Sequence, residues 1–169
     1  MARTVTMKGN PMELVGDEVA VGQPAPSFTL NYFDAGMQAL TLEDLKGKPC
    51  VISVVPSLDT PTCAIQTKRF NDELASMGDA IHAVTVSRDL PFAQMRFCGA
   101  ENVEMRSASD YKTGDFGRAF GLLLADWEIL ARAVLVLDAD GNVVHNETVA
   151  EIADEPNYDA ALAALKSIQ

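Results

Sequence analysis

Basic residues are scarce in this chain: 13 Lys and Arg stand against 24 Asp and Glu, leaving a net charge of −11. Nucleic acids and anionic membrane surfaces are held by clustered Lys and Arg. No basic block occurs, so neither a nucleic-acid nor a membrane partner is expected. No apolar run approaches the length of a membrane-spanning helix. The start, residues 1–15, carries Lys8, Asn10 and Glu13 where a secretory leader would have its apolar centre. The expected location is the cytoplasm. Histidine and cysteine are rarer still: His82 and His145, then Cys50, Cys63 and Cys98. Three cysteines are too few for a disulfide scaffold. No Cys-x-x-Cys pair occurs and no Cys/His spacing suits zinc, so no metal or other cofactor is expected. In a reducing compartment, any disulfide formed here would be transient, catalytic or redox-sensing. Repeats, linkers and low-complexity tracts are also missing, which leaves 169 residues, 48% of them hydrophobic, to fold as one domain over 1–169.

What is present is organised around Pro56-Ser57-Leu58-Asp59-Thr60-Pro61-Thr62-Cys63. An apolar run, residues 51–55, leads in, and an amphipathic segment, residues 64–77, leads out. Strand, Pro-rich turn, helix is the predicted order, with Cys63 at the helix N-terminus. First-turn N–H groups have no partner within a helix and together carry about half a positive charge. An unperturbed cysteine, with a pKa of about 8.5, is a few per cent thiolate at neutral pH; a helix N-terminus is where that balance is most easily moved. Cys63, Thr67, Phe70, Leu74 and Met77 recur in steps of four, three, four and three, so they share the core-facing stripe. Two readings of Cys63 stay open on these grounds: a buried structural thiol, or a nucleophile at the bottom of a pocket.

Elsewhere, residues 4–7 and 12–15 flank Gly9-Asn10-Pro11 as an N-terminal hairpin, and 27–33 with 37–42 make a second, followed by one helical turn over 42–45. Residues 50–55 and 80–87 are apolar strands on either side of the Cys63 helix, a βαβ unit whose right-handed crossover makes them parallel. Asp89 and Pro91 open a helix over 90–97 that runs into Cys98 and is capped by Gly99. Residues 103–107 read as a short strand, Phe116, Ala119 and Phe120 as a short helix, and 122–128 as a loop. Residues 129–138 and 142–149 pair around Asp140-Gly141, and Tyr158, Leu162, Leu165 and Ile168 stripe a closing helix. The expected fold is α/β: a mixed sheet flanked by helices on both faces, with an extra N-terminal β-hairpin. Arg132 lies in an apolar strand, where a charge is costly unless it has a partner. Cys50, at the start of a buried strand, reads as a small core hydrophobe, and both histidines read as structural. Trp127 and Phe92 are either the walls of a pocket for an organic group or packing residues.

This order is that of a thioredoxin-like fold, and Pro56-x-x-x-Thr60-x-x-Cys63 resembles the active-site signature of the peroxiredoxins. Asp89-Leu90-Pro91-Phe92-Ala93-Gln94, Arg96-Phe97-Cys98-Gly99-Ala100-Glu101, the run 131–138 and the ending 155–162 are similar to the bacterial thiol peroxidase branch. The resemblance covers nearly the whole chain. It implies a thiol-dependent peroxidase for hydrogen peroxide and organic hydroperoxides, serving antioxidant defence, in which Cys63 attacks the O–O bond and becomes a sulfenic acid. It implies that Thr60 hydrogen-bonds thiolate and peroxide, that Arg132 supplies positive charge to both, and that Pro56 shields the sulfur from solvent. Cys98 is implied as the resolving cysteine of an intrachain Cys63–Cys98 disulfide, thioredoxin as the reductant and a homodimer as the assembly. A disulfide requires the two Cα atoms within about 7 Å. Cys63 and Cys98, on the ends of two helices, are expected to lie farther apart when reduced, so the Cys98 turn must unwind. Two other classes stand beside the peroxidase: a dithiol oxidoreductase acting on protein disulfides, and a redox sensor. The missing Cys-x-x-Cys and the presence of Thr60 and Arg132 speak against the former.

Overall fold

The computed structural model describes residues 2–169; Met1, the first residue of the expected domain, lies outside them. Arg3–Met7 (β1) and Asn10–Val15 (β2) pair antiparallel through a two-residue turn, Lys8 at φ 49° and Gly9 at φ 82°. Two positive φ values in succession give the turn whose twist matches that of the strands. Thr29–Phe33 (β3) and Met37–Thr41 (β4) form the second hairpin, with a 3-10 turn at Glu43–Leu45 behind it. Every residue of Cys50–Val54 (β5) is buried. Pro61–Leu74 (α1) follows, tightening into 3-10 geometry over Ala75–Ala80. His82–Ser87 (β6) returns parallel to β5; Pro91–Glu101 (α2) and Arg106–Ser109 (β7) repeat the crossover, again parallel. Asp115–Ala119 (α3), Leu123–Leu124 (β8), Ala133–Leu137 (β9), Val143–Thr148 (β10) and Tyr158–Lys166 (α4) complete the order.

Seven strands form one sheet in the order β10-β9-β5-β6-β7-β3-β4, parallel at β5, β6 and β7 and antiparallel outside them. Successive side chains of a strand point to opposite faces, so a strand buried along its whole length, such as β5, demands a core on each side. One face, with Ile52, Val84, Val86 and Leu135, packs on Phe28, Phe116 and Phe120 around α3. The other, with Val51, Val134 and Val136, packs on Phe70 and Leu74 of α1 and on Tyr158, Ala161 and Leu165 of α4, with Phe97 and Cys98 of α2 alongside. This is the thioredoxin-like α/β layering expected, and it brings the C-terminal end of β5, the start of α1 and the start of β9 together.

Three local expectations are corrected. The helix expected over 90–97 with Gly99 as its cap runs on to Glu101 and is capped by Asn102, in the left-handed region at φ 56°. The N–H groups of Asn102 and Val103 both reach the Cys98 carbonyl, a closure usually made by Gly and sometimes by Asn. Residues 122–128 are not all loop. Leu123 and Leu124 pair with Val15 and Leu14, adding a third strand to the N-terminal hairpin, because the open edge of β2 supplies a distant partner. Finally, β9 begins at Ala133, so Arg132 sits one residue before the strand, although its carbonyl still accepts from Val149 N at 2.9 Å.

Candidate active site

After β5, Val55 N still donates to Val86 O at 2.9 Å, and buried Pro56 then turns the chain. The turn closes on Ser57, whose carbonyl accepts from Thr60 N at 3.1 Å and from Thr60 Oγ1 at 2.9 Å. Thr60 is the N-cap of α1, and Pro61 is its first residue, where a missing N–H costs nothing. A threonine in this position ordinarily gives its oxygen to a first-turn amide. Here the hydroxyl turns back to Ser57 and no side chain caps the helix from that position. The first-turn amides therefore keep their partial positive charge for what lies at the N-terminus. Cys63 lies there, fully buried, packed with Val55, Leu58 and Phe97.

Arg132, 2% exposed, reaches the same sulfur. Its Nη2 donates to Cys63 Sγ at 3.4 Å, Nη1 to Gln66 Oε1 at 2.9 Å, and Nε to Ile152 O at 2.8 Å. Gln66, fully buried one turn along α1, in turn donates through Nε2 to Ser53 Oγ at 2.8 Å. Three fixed acceptors orient the guanidinium plane. Among the described residues no carboxylate pairs with Arg132; the four ion pairs present are all made by exposed side chains elsewhere. A buried charge without a counter-charge is costly. Of the three partners, the carbonyl and the amide are neutral, and the sulfur alone can become an anion. Thr62 Oγ1 donates to Ala153 O at 3.3 Å, tying the first turn of α1 to the segment that accepts from Arg132. Glu151, next to that segment, accepts from Ala153 N, Gly9 N and Thr6 Oγ1; the backbone bonds hold its carboxyl down at about 2.

Pro56, Thr60, Cys63 and Arg132 are thus gathered at one place, with the Thr60 hydroxyl on Ser57 O rather than on the sulfur. Cys98 is not joined to them: all three cysteines are free thiols, and Cys98 Sγ lies 3.2 Å from Ser107 Oγ. Burial pushes the Cys98 thiol up, and the Ser107 contact opposes this in part. Phe97 packs against both the Cys63 cluster and the core beside Cys98. Cys50 is fully buried, and burial alone pushes it up to about 12, which leaves it inert near neutral pH. Phe92 and Trp127 are half exposed, Phe92 leaning on Phe33 with ring centroids 5.3 Å apart. His145 is half-buried on β10, and burial lowers its pKa.

Four residues at the site escaped sequence reasoning. Gln66 stands three positions after Cys63 and shares its stripe, and a polar side chain on an otherwise core-facing stripe marks a buried hydrogen bond. Ser53 interrupts the apolar run of β5 in the same way. Ser57 and Asp89 carried no comparable signal, Asp89 having looked like the start of α2. Among the described residues, no three His, Cys, Asp or Glu side chains form a group able to hold a metal. No helix among them is long and apolar enough to cross a membrane.

The Redoxin family model matches residues 20–162. A thiol peroxidase of Bacillus subtilis (strain 168) is 45% identical over 165 residues, covering 97% of each chain. One of Streptococcus pneumoniae (strain ATCC BAA-255 / R6) is 46% identical over 165 residues, covering 97% of this chain and 99% of its own. A crystal structure of a peroxiredoxin-like protein from Aquifex aeolicus superposes with a TM-score of 0.90 at 41% identity, covering 100% of this chain and 99% of that one. By fold and by similarity along nearly its whole length, the chain belongs to the Redoxin family, in the thiol peroxidase branch of the peroxiredoxins, and is a peroxidase of that type.

Proposed function

We propose that this chain, acting as a single domain, reduces hydrogen peroxide and organic hydroperoxides in a two-cysteine cycle recycled by thioredoxin. The observation that carries the proposal is the buried Arg132 guanidinium, 3.4 Å from Cys63 Sγ and without a carboxylate. In the first step the Cys63 thiolate attacks one peroxide oxygen and the O–O bond breaks. The sulfur becomes a sulfenic acid, and the other oxygen leaves as alkoxide or hydroxide and takes a proton. Arg132 and the first-turn amides of α1 face the negative charge as it passes from sulfur to the departing oxygen. Thr60 gives its own proton to Ser57 O, so its lone pairs are free to accept from the O–H of the peroxide. Pro56 keeps bulk water from the sulfur.

In the second step the Cys98 thiol, having lost its proton, displaces hydroxide from the sulfenic acid; water leaves and the Cys63–Cys98 disulfide forms. Cys98 must first leave Ser107, and the last turn of α2, held by the Asn102 and Val103 amides on the Cys98 carbonyl, must open. Thioredoxin dithiol then reduces the disulfide and is itself oxidised. Such a cycle suits a reducing cytoplasm, and a homodimer is the assembly proposed. Peroxide consumption with thioredoxin recycling tests the scheme. Wild type should turn over, Cys98→Ser should consume about one equivalent and then stop, and Cys63→Ser should consume none. Full turnover by Cys63→Ser, or none by wild type, would overturn it.

A further inference from the structure

Asp89 stands between β6 and α2, two residues before Pro91, where an aspartate would be expected to cap its own helix. It does not: the N-cap of α2 is Leu90 and no side chain caps the helix there. Its half-buried carboxylate turns instead to the loop that leads to Cys63. Oδ1 accepts from Ser57 Oγ at 2.7 Å; Oδ2 accepts from Leu58 N at 2.8 Å and from Ser87 Oγ at 2.7 Å. Among the described residues no cation pairs with it. Three neutral donors therefore converge on one carboxylate, and charge-assisted hydrogen bonds of this kind are about twice as strong as neutral ones.

The consequence runs forward along the loop. With its proton committed to Asp89, Ser57 Oγ accepts from Asp59 N at 3.2 Å, and the Ser57 carbonyl receives both the Thr60 amide and the Thr60 hydroxyl. The Thr60 hydroxyl thus rests on the carbonyl of a residue whose own side chain is held by an aspartate 32 positions away, and Asp89 hydrogen-bonds to neither Thr60 nor the sulfur. The same network reaches α2, where Gln94 Nε2 donates to Ser87 Oγ at 3.0 Å and to Ala108 O at 3.0 Å. We propose that Asp89 is a positioning residue for the peroxide step, acting through Ser57 to aim the Thr60 hydroxyl. The proposal rests on Cys63 being the nucleophile.

The test separates peroxide positioning from the reactivity of the thiol itself. Peroxide attack needs Thr60 in place, whereas alkylation of Cys63 by iodoacetamide does not. Both second-order rate constants are measured on chains carrying Cys98→Ser, so that Cys63 reacts once and stops. Asp89→Asn keeps the shape but turns an amide group toward donors that need an acceptor. It should lower the ratio of peroxide to alkylation rate constants roughly tenfold, less than the hundredfold that an ångström of misplacement can cost. Ser57→Ala, which removes a single link, should lower the ratio roughly threefold and decides the matter if Asp89→Asn does not fold. On a Thr60→Val background Asp89→Asn should have no further effect on the ratio, because the two residues act in series. An unchanged ratio in folded Asp89→Asn and Ser57→Ala, or an undiminished effect on the Thr60→Val background, would overturn the proposal. Peroxide turnover surviving Cys63→Ser would show instead that the nucleophile assignment is wrong, and the role of Asp89 would fall with it.

Discussion

Replacing Arg132 with methionine keeps a long, flexible side chain and removes every N–H, and it should slow oxidation of Cys63 by about two to three orders of magnitude. Two unit charges 3.4 Å apart interact by about 5 kcal/mol at an effective dielectric of about 20. Not all of that accelerates the reaction, since the guanidinium also faces the thiolate before attack, and only the difference between the two states counts. Loss of one preorganised donor to a developing oxyanion costs about 3–4 kcal/mol, which gives the predicted range. Stability falls as well. Gln66 Oε1 and Ile152 O lose their donor in a buried setting, at about 1–3 kcal/mol each, so the rate must be read well below the unfolding midpoint. Arg132→Lys separates charge from geometry: an ammonium restores the charge but cannot span three acceptors as a planar fork does. Its rate should fall by roughly one order, between wild type and Arg132→Met. The assay is single-turnover stopped flow on chains carrying Cys98→Ser, with thermal unfolding of each variant alongside. A folded Arg132→Met that oxidises at the wild-type rate would refute the reasoning. Equal rates for the lysine and methionine variants would show that charge without the three-point fork contributes nothing.

Two further outcomes follow from the cysteines. On oxidation, the amides of Asn102 and Val103, which close the helix on the Cys98 carbonyl in the reduced chain, should lose hydrogen-exchange protection while that of Gln94 N is kept; unchanged protection at residues 102 and 103 would reject unwinding. Burial pushes the Cys50 thiol up to about 12, so the stability tied to its neutral form is complete below the ordinary thiol range and is lost as the pH climbs through the higher value. Denaturant titrations should therefore show a steeper alkaline fall in wild type than in Cys50→Ala, whose core is less stable at neutral pH; parallel curves would remove Cys50 as the cause.

How much of this could be read in advance depends on whether a residue's own chemistry announces its need. A cysteine after a Pro-rich turn and an arginine in an apolar run both do, because thiol placement and the cost of a buried charge are local facts. The partner of that arginine is not local: Cys63 lies 69 positions away. Gln66 was within reach, since it shares the stripe of Cys63, Thr67 and Phe70, all fully buried. The acceptors from Ile152 and Ala153 were not, because they are backbone carbonyls and carry no residue identity. The same holds for the cap of α2, where Gly99 has open space around it and the helix passes through to close on Asn102. Thr60 shows where such reasoning stops. Its spacing from Cys63 puts its hydroxyl within a turn of the sulfur, yet a hydroxyl has one proton and two candidate acceptors, the thiol and the Ser57 carbonyl. The carbonyl takes it, at 2.9 Å, because Ser57 is held in place by Asp89 across the C-terminal ends of β5 and β6. The orientation of a hydroxyl three residues before the nucleophile is thus decided by a side chain that no local pattern connects to it.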